Sequence, residues 1–240
     1  MKIDILTLFP EAFTSVLQFS LLKKAVDRGL LKITVEDIRQ WTQDKHKTAD
    51  DSPYGGGVGM VLLADPVMQA LEKLKRKNSQ VVAFTPRGKK LTPARARQLA
   101  RSPHLILVCG HYEEIDQRFY QLSGAEEISI GDYVLSGGEI PAMVLVDAVA
   151  RFIPGVVGKA ASVAEDSFEN GLLDYPHYTR PAEYRGKKVP PDLMSGNHKA
   201  IGRYRRKEAL RQTLFRRPDL FARAEISKID RVLLQEIILE

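Results

Sequence analysis

The chain has 240 residues, 44% of them hydrophobic, enough for a sizeable core in one or two domains. Its formal charge of +6 is unevenly placed: residues 174–217 hold 12 Lys/Arg against 4 Asp/Glu, a net +8 that leaves about −2 for the rest. No apolar run is long enough to span a bilayer, Asp4 and Glu11 interrupt any signal-peptide pattern, and the single Cys109 cannot form an internal disulfide. No membrane partner is therefore expected, and the cytoplasm is.

Residues 2–9 read as a strand and residues 31–38 as another. Asp65 followed by Pro66 reads as an N-cap with Pro at the first helical position, opening a helix to about residue 76. Residues 80–85 form a strand that ends in a turn through Pro86 to Gly88, and Thr92-Pro93 repeats the cap-and-Pro signal for a helix to about residue 101. Residues 105–109 are an apolar strand, within which Cys109 reads as a buried, inert thiol. Residues 126–130 are a further strand, and residues 139–152 an apolar helix. This alternation predicts an α/β fold with a parallel sheet and helices on both faces.

The composition then changes. Residues 154–166, rich in Gly, Ala and Ser, read as a linker, and residues 175–191, with four prolines, as mostly loop. From about residue 197 the pattern is helical (Ala200, Ile201, Tyr204, Leu210, Leu214), and residues 218–240 give one or two shorter helices. Ser227-Lys-Ile-Asp230 is an acidic variant of the capping box. A small helical domain thus follows the α/β domain.

Glycine-bearing loops are the candidates for chemistry, because glycine lets main-chain groups approach a ligand closely. They are Asp50-Asp-Ser-Pro-Tyr-Gly-Gly-Gly-Val-Gly-Met60, the apolar strand that ends in Gly110 before His111-Tyr-Glu-Glu114, and Gly131-Asp-Tyr-Val-Leu-Ser-Gly-Gly-Glu139. An apolar strand ending in Gly and a polar turn is where open α/β sheets bind ligands. No phosphate loop or dinucleotide fingerprint occurs, so the glycines do not point to a nucleoside triphosphate or a dinucleotide. The five histidines are scattered and have no zinc spacing, so no metal ligand is assigned. The basic excess, densest in Arg203-Tyr-Arg-Arg-Lys207, suits a phosphate backbone, with a solvated helix surface as the alternative.

Six segments stand out in order: Met1-Lys-Ile-Asp-Ile-Leu-Thr-Leu-Phe-Pro10, Pro53-Tyr-Gly-Gly-Gly57, Ile130-Gly-Asp-Tyr-Val-Leu-Ser-Gly-Gly-Glu139, Asp147-Ala-Val-Ala-Arg-Phe-Ile-Pro-Gly155, Glu165-Asp-Ser-Phe168 and Pro176-His-Tyr-Thr-Arg-Pro181. Together they resemble the bacterial tRNA (guanine-N1)-methyltransferases, the TrmD type of the SPOUT superfamily, over nearly the whole chain. The resemblance implies a SPOUT methyl-donor domain in residues 1–160 that ends in a trefoil knot. A linker in residues 161–173 and a small all-α, basic, tRNA-binding domain in residues 174–240 would follow. It implies S-adenosyl-L-methionine as donor, Mg²⁺ as a supporting ion without assigned ligands, and tRNA as partner. It also implies a homodimer with its active site at the subunit interface.

The implied reaction is methylation of N1 of the guanine immediately 3′ of the anticodon, position 37. N1 carries a proton at neutral pH, and negative charge develops on O6 as that proton leaves, so the site needs a base and a cation or donor. Asp166 matches the family's base and Arg151 its charge stabiliser. Read alone, Asp166 is a surface carboxylate and Arg151 a partner for a helix C-terminus. The residues matching the donor site are Thr85, Pro86, Gly110, Tyr112, Glu113, Ile130, Gly131, Tyr133, Leu135, Gly137 and Gly138. Those matching the substrate site are Asp50, Tyr54, Gly55, Gly56, Gly57, Gly59, Met60, His177 and Arg180, with Arg203 from the basic run. Two departures from the family pattern stand out. Val58 replaces a common Pro, and Glu114 replaces the second Gly of Gly-x-Tyr-Glu-Gly-Ile-Asp, where a positive φ would strain it. The other readings are a non-catalytic RNA-binding protein and a knotted RNA methylase acting on ribose or another base.

Overall fold

The computed structural model describes residues 1–158 and 166–240. These belong to two units, Met1–Gly158 and Lys159–Glu240. The first runs β1 (Lys2–Thr7), α1 (Thr14–Leu17), α2 (Ser20–Asp27), β2 (Lys32–Asp37), β3 (Asp50–Asp51), β4 (Val61–Leu62), α3 (Ala64–Leu74), β5 (Ser79–Lys90), α4 (Pro93–Leu99), β6 (His104–Val108), β7 (Glu114–Ile115), α5 (Gln117–Ser123), β8 (Glu126–Ser129) and α6 (Glu139–Ala150). Five strands form one parallel sheet in the order β2-β1-β6-β5-β8.

The pleat explains why these strands are apolar without a gap. Val82 and Phe84 of β5, and Leu105 and Leu107 of β6, face a core closed by α2, α4 and α6. Their neighbours Val81, Ala83, Ile106 and Val108 face a second core closed by α3, α5 and the 3-10 turn at Ile38–Trp41. A strand buried on both faces cannot alternate apolar with polar residues, and parallel sheets are the usual setting for such strands.

Several boundaries differ from the sequence reading. β1 ends at Thr7 rather than at residue 9. α3 has Leu63 at its N-cap and no side-chain cap; Asp65 and Pro66 lie inside its first turn, where the missing Pro N–H has no intrahelical partner to lose. Thr92 does cap α4, accepting from the Arg95 N–H at 3.2 Å. β5 does not stop at residue 85. Phe84 and Lys89 both pair with Ile128, so residues 85–88 bulge out of the ladder and the strand resumes beyond them. Pro86, with no N–H to give, sits in that bulge. Helices α2 and α5 and the small sheet β3-β4-β7 went unread in the sequence.

In the second unit, β9 (Glu183–Tyr184) and β10 (Lys187–Lys188) form a hairpin inside the expected loop. Its turn residues Arg185 and Gly186 both have positive φ, at 50° and 76°, as a two-residue hairpin turn with matching twist requires. Helices α7 (Pro191–Met194), α8 (His198–Arg216), α9 (Pro218–Phe221) and α10 (Lys228–Leu239) follow. Leu172, Ala209, Leu210, Leu233 and Ile237 make the unit's own core. Residues 166–173, read as linker, are therefore tied into this unit: Leu172 is buried and the Leu173 N–H donates to Thr213 Oγ1 at 2.8 Å. The rest of that linker, residues 161–165, and the expected boundary at residue 160 lie outside the described residues.

Candidate active site

The helix after β5 goes to one face of the sheet and the helix after β6 to the other. Such a divergence opens a crevice beyond the carboxyl ends of the strands. An open cleft of about 120 Å³ lies there. The β5 bulge contributes Thr85 and Pro86, the segment after β6 contributes Gly110, Tyr112 and Glu113, and the loop after β8 contributes Ile130, Gly131, Tyr133, Leu135, Gly137 and Gly138. Every residue assigned to the donor from sequence lines this one cleft.

The two loops cross closely. The Gly138 N–H donates to Gly110 O at 2.7 Å, and a Cβ on Gly138 would sit 2.7 Å from Cys109 Cα. Only glycine permits that approach, and the crossing delivers the chain into the start of α6. At that start Glu139 is buried and accepts from Thr7 Oγ1 at 2.7 Å. Burial, and to a lesser degree the Glu139 charge, holds the Cys109 thiol well above its usual range, in keeping with an inert core residue.

Further cleft residues stood in the candidate loops without an assigned role. His111 lines it, with Nδ1 3.6 Å from Glu139 Oε2. Glu114, singled out only as a departure, lines it too. Its backbone is unstrained strand, paired with Val61; the positive φ in this segment, 61°, belongs to Tyr112. Its carboxylate accepts from Thr85 Oγ1 at 2.9 Å, the Tyr120 hydroxyl at 2.8 Å and the Ile115 N–H at 3.0 Å. Only the tertiary bulge that brings Thr85 across could have revealed this.

The glycine-rich loop of residues 50–60, matched to the substrate site from sequence, meets the cleft's edge through β4 and β7. The Glu113 N–H donates to Met60 O at 3.0 Å, and Asp50 pairs with Leu62 in β3-β4. Tyr54 stands fully exposed, and Gly55, Gly56, Gly57 and Gly59 all take positive φ, so the loop follows a path closed to most residues. Arg151 caps the C-terminus of α6, half-buried.

In the second unit, Asp166 opens a turn in which the Phe168 N–H donates to Leu172 O at 2.8 Å. Its neighbour Glu165 lies outside the described residues. His177 Nε2 contacts Asp174 Oδ2 at 2.8 Å, and Arg180 is exposed. The basic run is less available to a polyanion than its sequence suggests. Arg203 pairs with Glu236, Lys207 bridges Glu236 (3.0 Å) and Glu240 (2.7 Å), Arg211 pairs with Glu240, and Arg206 binds Asp230 at 2.7 Å.

Among the described residues no group of three or more His, Cys, Asp or Glu could hold a metal ion, so the expected Mg²⁺ gains no ligands. Nor, among them, is any helix long and apolar enough to cross a membrane.

Residues 1–223 match the profile of the family described as tRNA (Guanine-1)-methyltransferase TrmD. A tRNA (guanine-N(1)-)-methyltransferase of Carboxydothermus hydrogenoformans is 52% identical over 234 residues, 98% of this chain and 92% of the relative. Proteins of the same name from Bacillus cereus (51% identical, 99% of this chain, 98% of the relative) and Dehalococcoides mccartyi (49%, 100% and 98%) are comparably similar.

Proposed function

The chain belongs to the tRNA (guanine-1)-methyltransferase family of the TrmD type, and on that premise we propose that it moves a methyl group from S-adenosylmethionine to N1 of the guanine 3′ of the anticodon, position 37, in tRNA. The observation that carries this reading is the assembly of the cleft. Three family segments, remote in sequence, converge on one crevice. The cleft residues fit the donor: Ile130, Tyr133 and Leu135 offer an apolar wall for a base, main-chain groups of the glycine loops offer hydrogen bonds, and the 111–114 segment offers negative charge to a cation.

When bound, S-adenosylmethionine supplies an electrophilic methyl group. The chain must then remove the N1 proton and stabilise O6. Asp166 takes the proton and Arg151 faces the charge on O6. The substrate loop at residues 50–60, beside the cleft, positions the target base together with His177 and Arg180. The basic second unit reads the tRNA through cations that include Arg203.

The proposal includes the family's trefoil knot, supported by the close crossing of residues 109–111 with residues 137–138, and a location in the cytoplasm with the tRNA pool. It also includes a homodimer with a shared active site. α6 is apolar nearly all round: its Leu145 and Val149 face the core, while Ile140 and Val144 are 55% and 43% exposed. A helix apolar on every side is one that is covered on every side.

Incubation with labelled S-adenosylmethionine and two unmodified tRNA transcripts, differing only in G or A after the anticodon, tests the reading. Label on the G transcript alone, recovered as 1-methylguanosine, is expected. Label on both, or recovery as a ribose methyl, would mean another knotted methylase. Binding of tRNA without label would mean a non-catalytic RNA-binding protein.

A further inference from the structure

The ionisable wall of the cleft has one sign. Glu113 and Glu114 line it with His111, and no Lys or Arg is among the described residues that do so. Arg87, whose charge feels Glu114, is engaged elsewhere, with Glu127 at 2.6 Å and stacked 4.6 Å over the Tyr120 ring. Glu114 is fixed in place, because all three of its partners are donors. One of them, the Tyr120 phenol, is pushed well up by burial and then by the Glu114 charge, so it keeps the proton it donates.

We infer that Glu114 determines specificity by making the cleft select the cationic methyl donor over the neutral product of the same reaction. The inference rests on the donor being S-adenosylmethionine, as proposed above. In the transfer, the bond between the methyl carbon and sulfur breaks and its electron pair stays on sulfur. The methyl carbon bonds to N1 while the N1 proton passes to the base. A sulfonium thus becomes an uncharged thioether. A fixed carboxylate in a partly enclosed cleft attracts the first and gains nothing from the second. Retention of the donor and departure of the product would both be served. Glycine, the residue expected at this position from the family pattern, has no side chain with which to do this.

Calorimetric titration of the intact protein with S-adenosylmethionine and S-adenosylhomocysteine, repeated on Glu114→Gln and Glu114→Gly, is the test. Both variants should bind the donor about tenfold more weakly, about 1.4 kcal/mol. Their affinity for the product should stay within about twofold of the unaltered protein's. Equal losses for the two ligands would make Glu114 a mere fastener of Thr85 and overturn the inference. Equal gains in Glu114→Gly would show that the side chain obstructs the cleft, and would overturn it as well. A check that needs no variant uses an analogue with a protonated amine in place of the sulfonium. On the unaltered protein it should follow the donor in affinity, and an analogue that follows the product overturns the inference. If the unaltered protein binds neither donor nor product, the donor reading itself fails, and the two failures are told apart.

Discussion

A carboxylate that takes a proton has to reach its substrate, whereas one that sets a field has to stay still. Glu114 is of the second kind, held by three donors, and Asp166 is proposed as the first. Replacing Asp166 by Asn keeps the shape and removes the proton acceptor. kcat should fall by about 10²–10⁴. Donor affinity should be unchanged, because no residue of the cleft is touched. Single-turnover methylation together with donor titration separates the two quantities, and an undiminished kcat would remove Asp166 from its role. At this scale the sequence was informative where a residue's identity sets how closely two loops can approach, as for Gly138. It was silent where a contact is made by folding, as between Glu114 and Thr85.

Among the elements, α8 and α10 show how acidic partners consume a basic run. Ser227 and Asp230 form a complete capping box at the start of α10, and Asp230 also binds Arg206 of α8. The Arg206 guanidinium, aided by the Ser227 N–H and opposed by burial, holds the Asp230 carboxyl well below its usual range. A depressed carboxyl contributes stability above its unfolded pKa and loses it as pH falls through the folded one. Asp230→Asn should therefore cost about 2 kcal/mol at neutral pH. The difference from the parent should begin to close below about pH 4. Urea melts of the full chain, followed by helical circular dichroism across pH, check this, and a gap constant with pH would refute it. The capping box was legible in the sequence because its two members stand three positions apart, as was the Thr92 cap. The acidic half of the ladder was not, because Glu236 and Glu240 stand 29 to 33 residues from their partners on another helix. The β5 bulge was hidden for the same reason: Pro86 looked like a terminator, and only pairing with β8 shows that the strand resumes.

For the whole molecule, the exposed apolar stripe of α6 makes a prediction about assembly. Ile140→Glu with Val144→Glu should leave the fold intact, because both positions already face solvent. It should also convert a dimer to a monomer in light scattering, with loss of methylation. A parent that is monomeric at working concentration would refute the shared active site. The architecture holds one more consequence. Asp166 opens a turn anchored to the helical unit through Leu172 and Leu173, while the cleft between the β5, β6 and β8 loops belongs entirely to the sheet unit. On the proposed reading, the base is carried with the part that recognises the cargo and the methyl group with the part that stores it. Neither half is a catalyst by itself. Such a division works as a two-key lock: a loaded donor meets its base only when the correct substrate has been presented, which guards a reactive methyl group against water and stray nucleophiles.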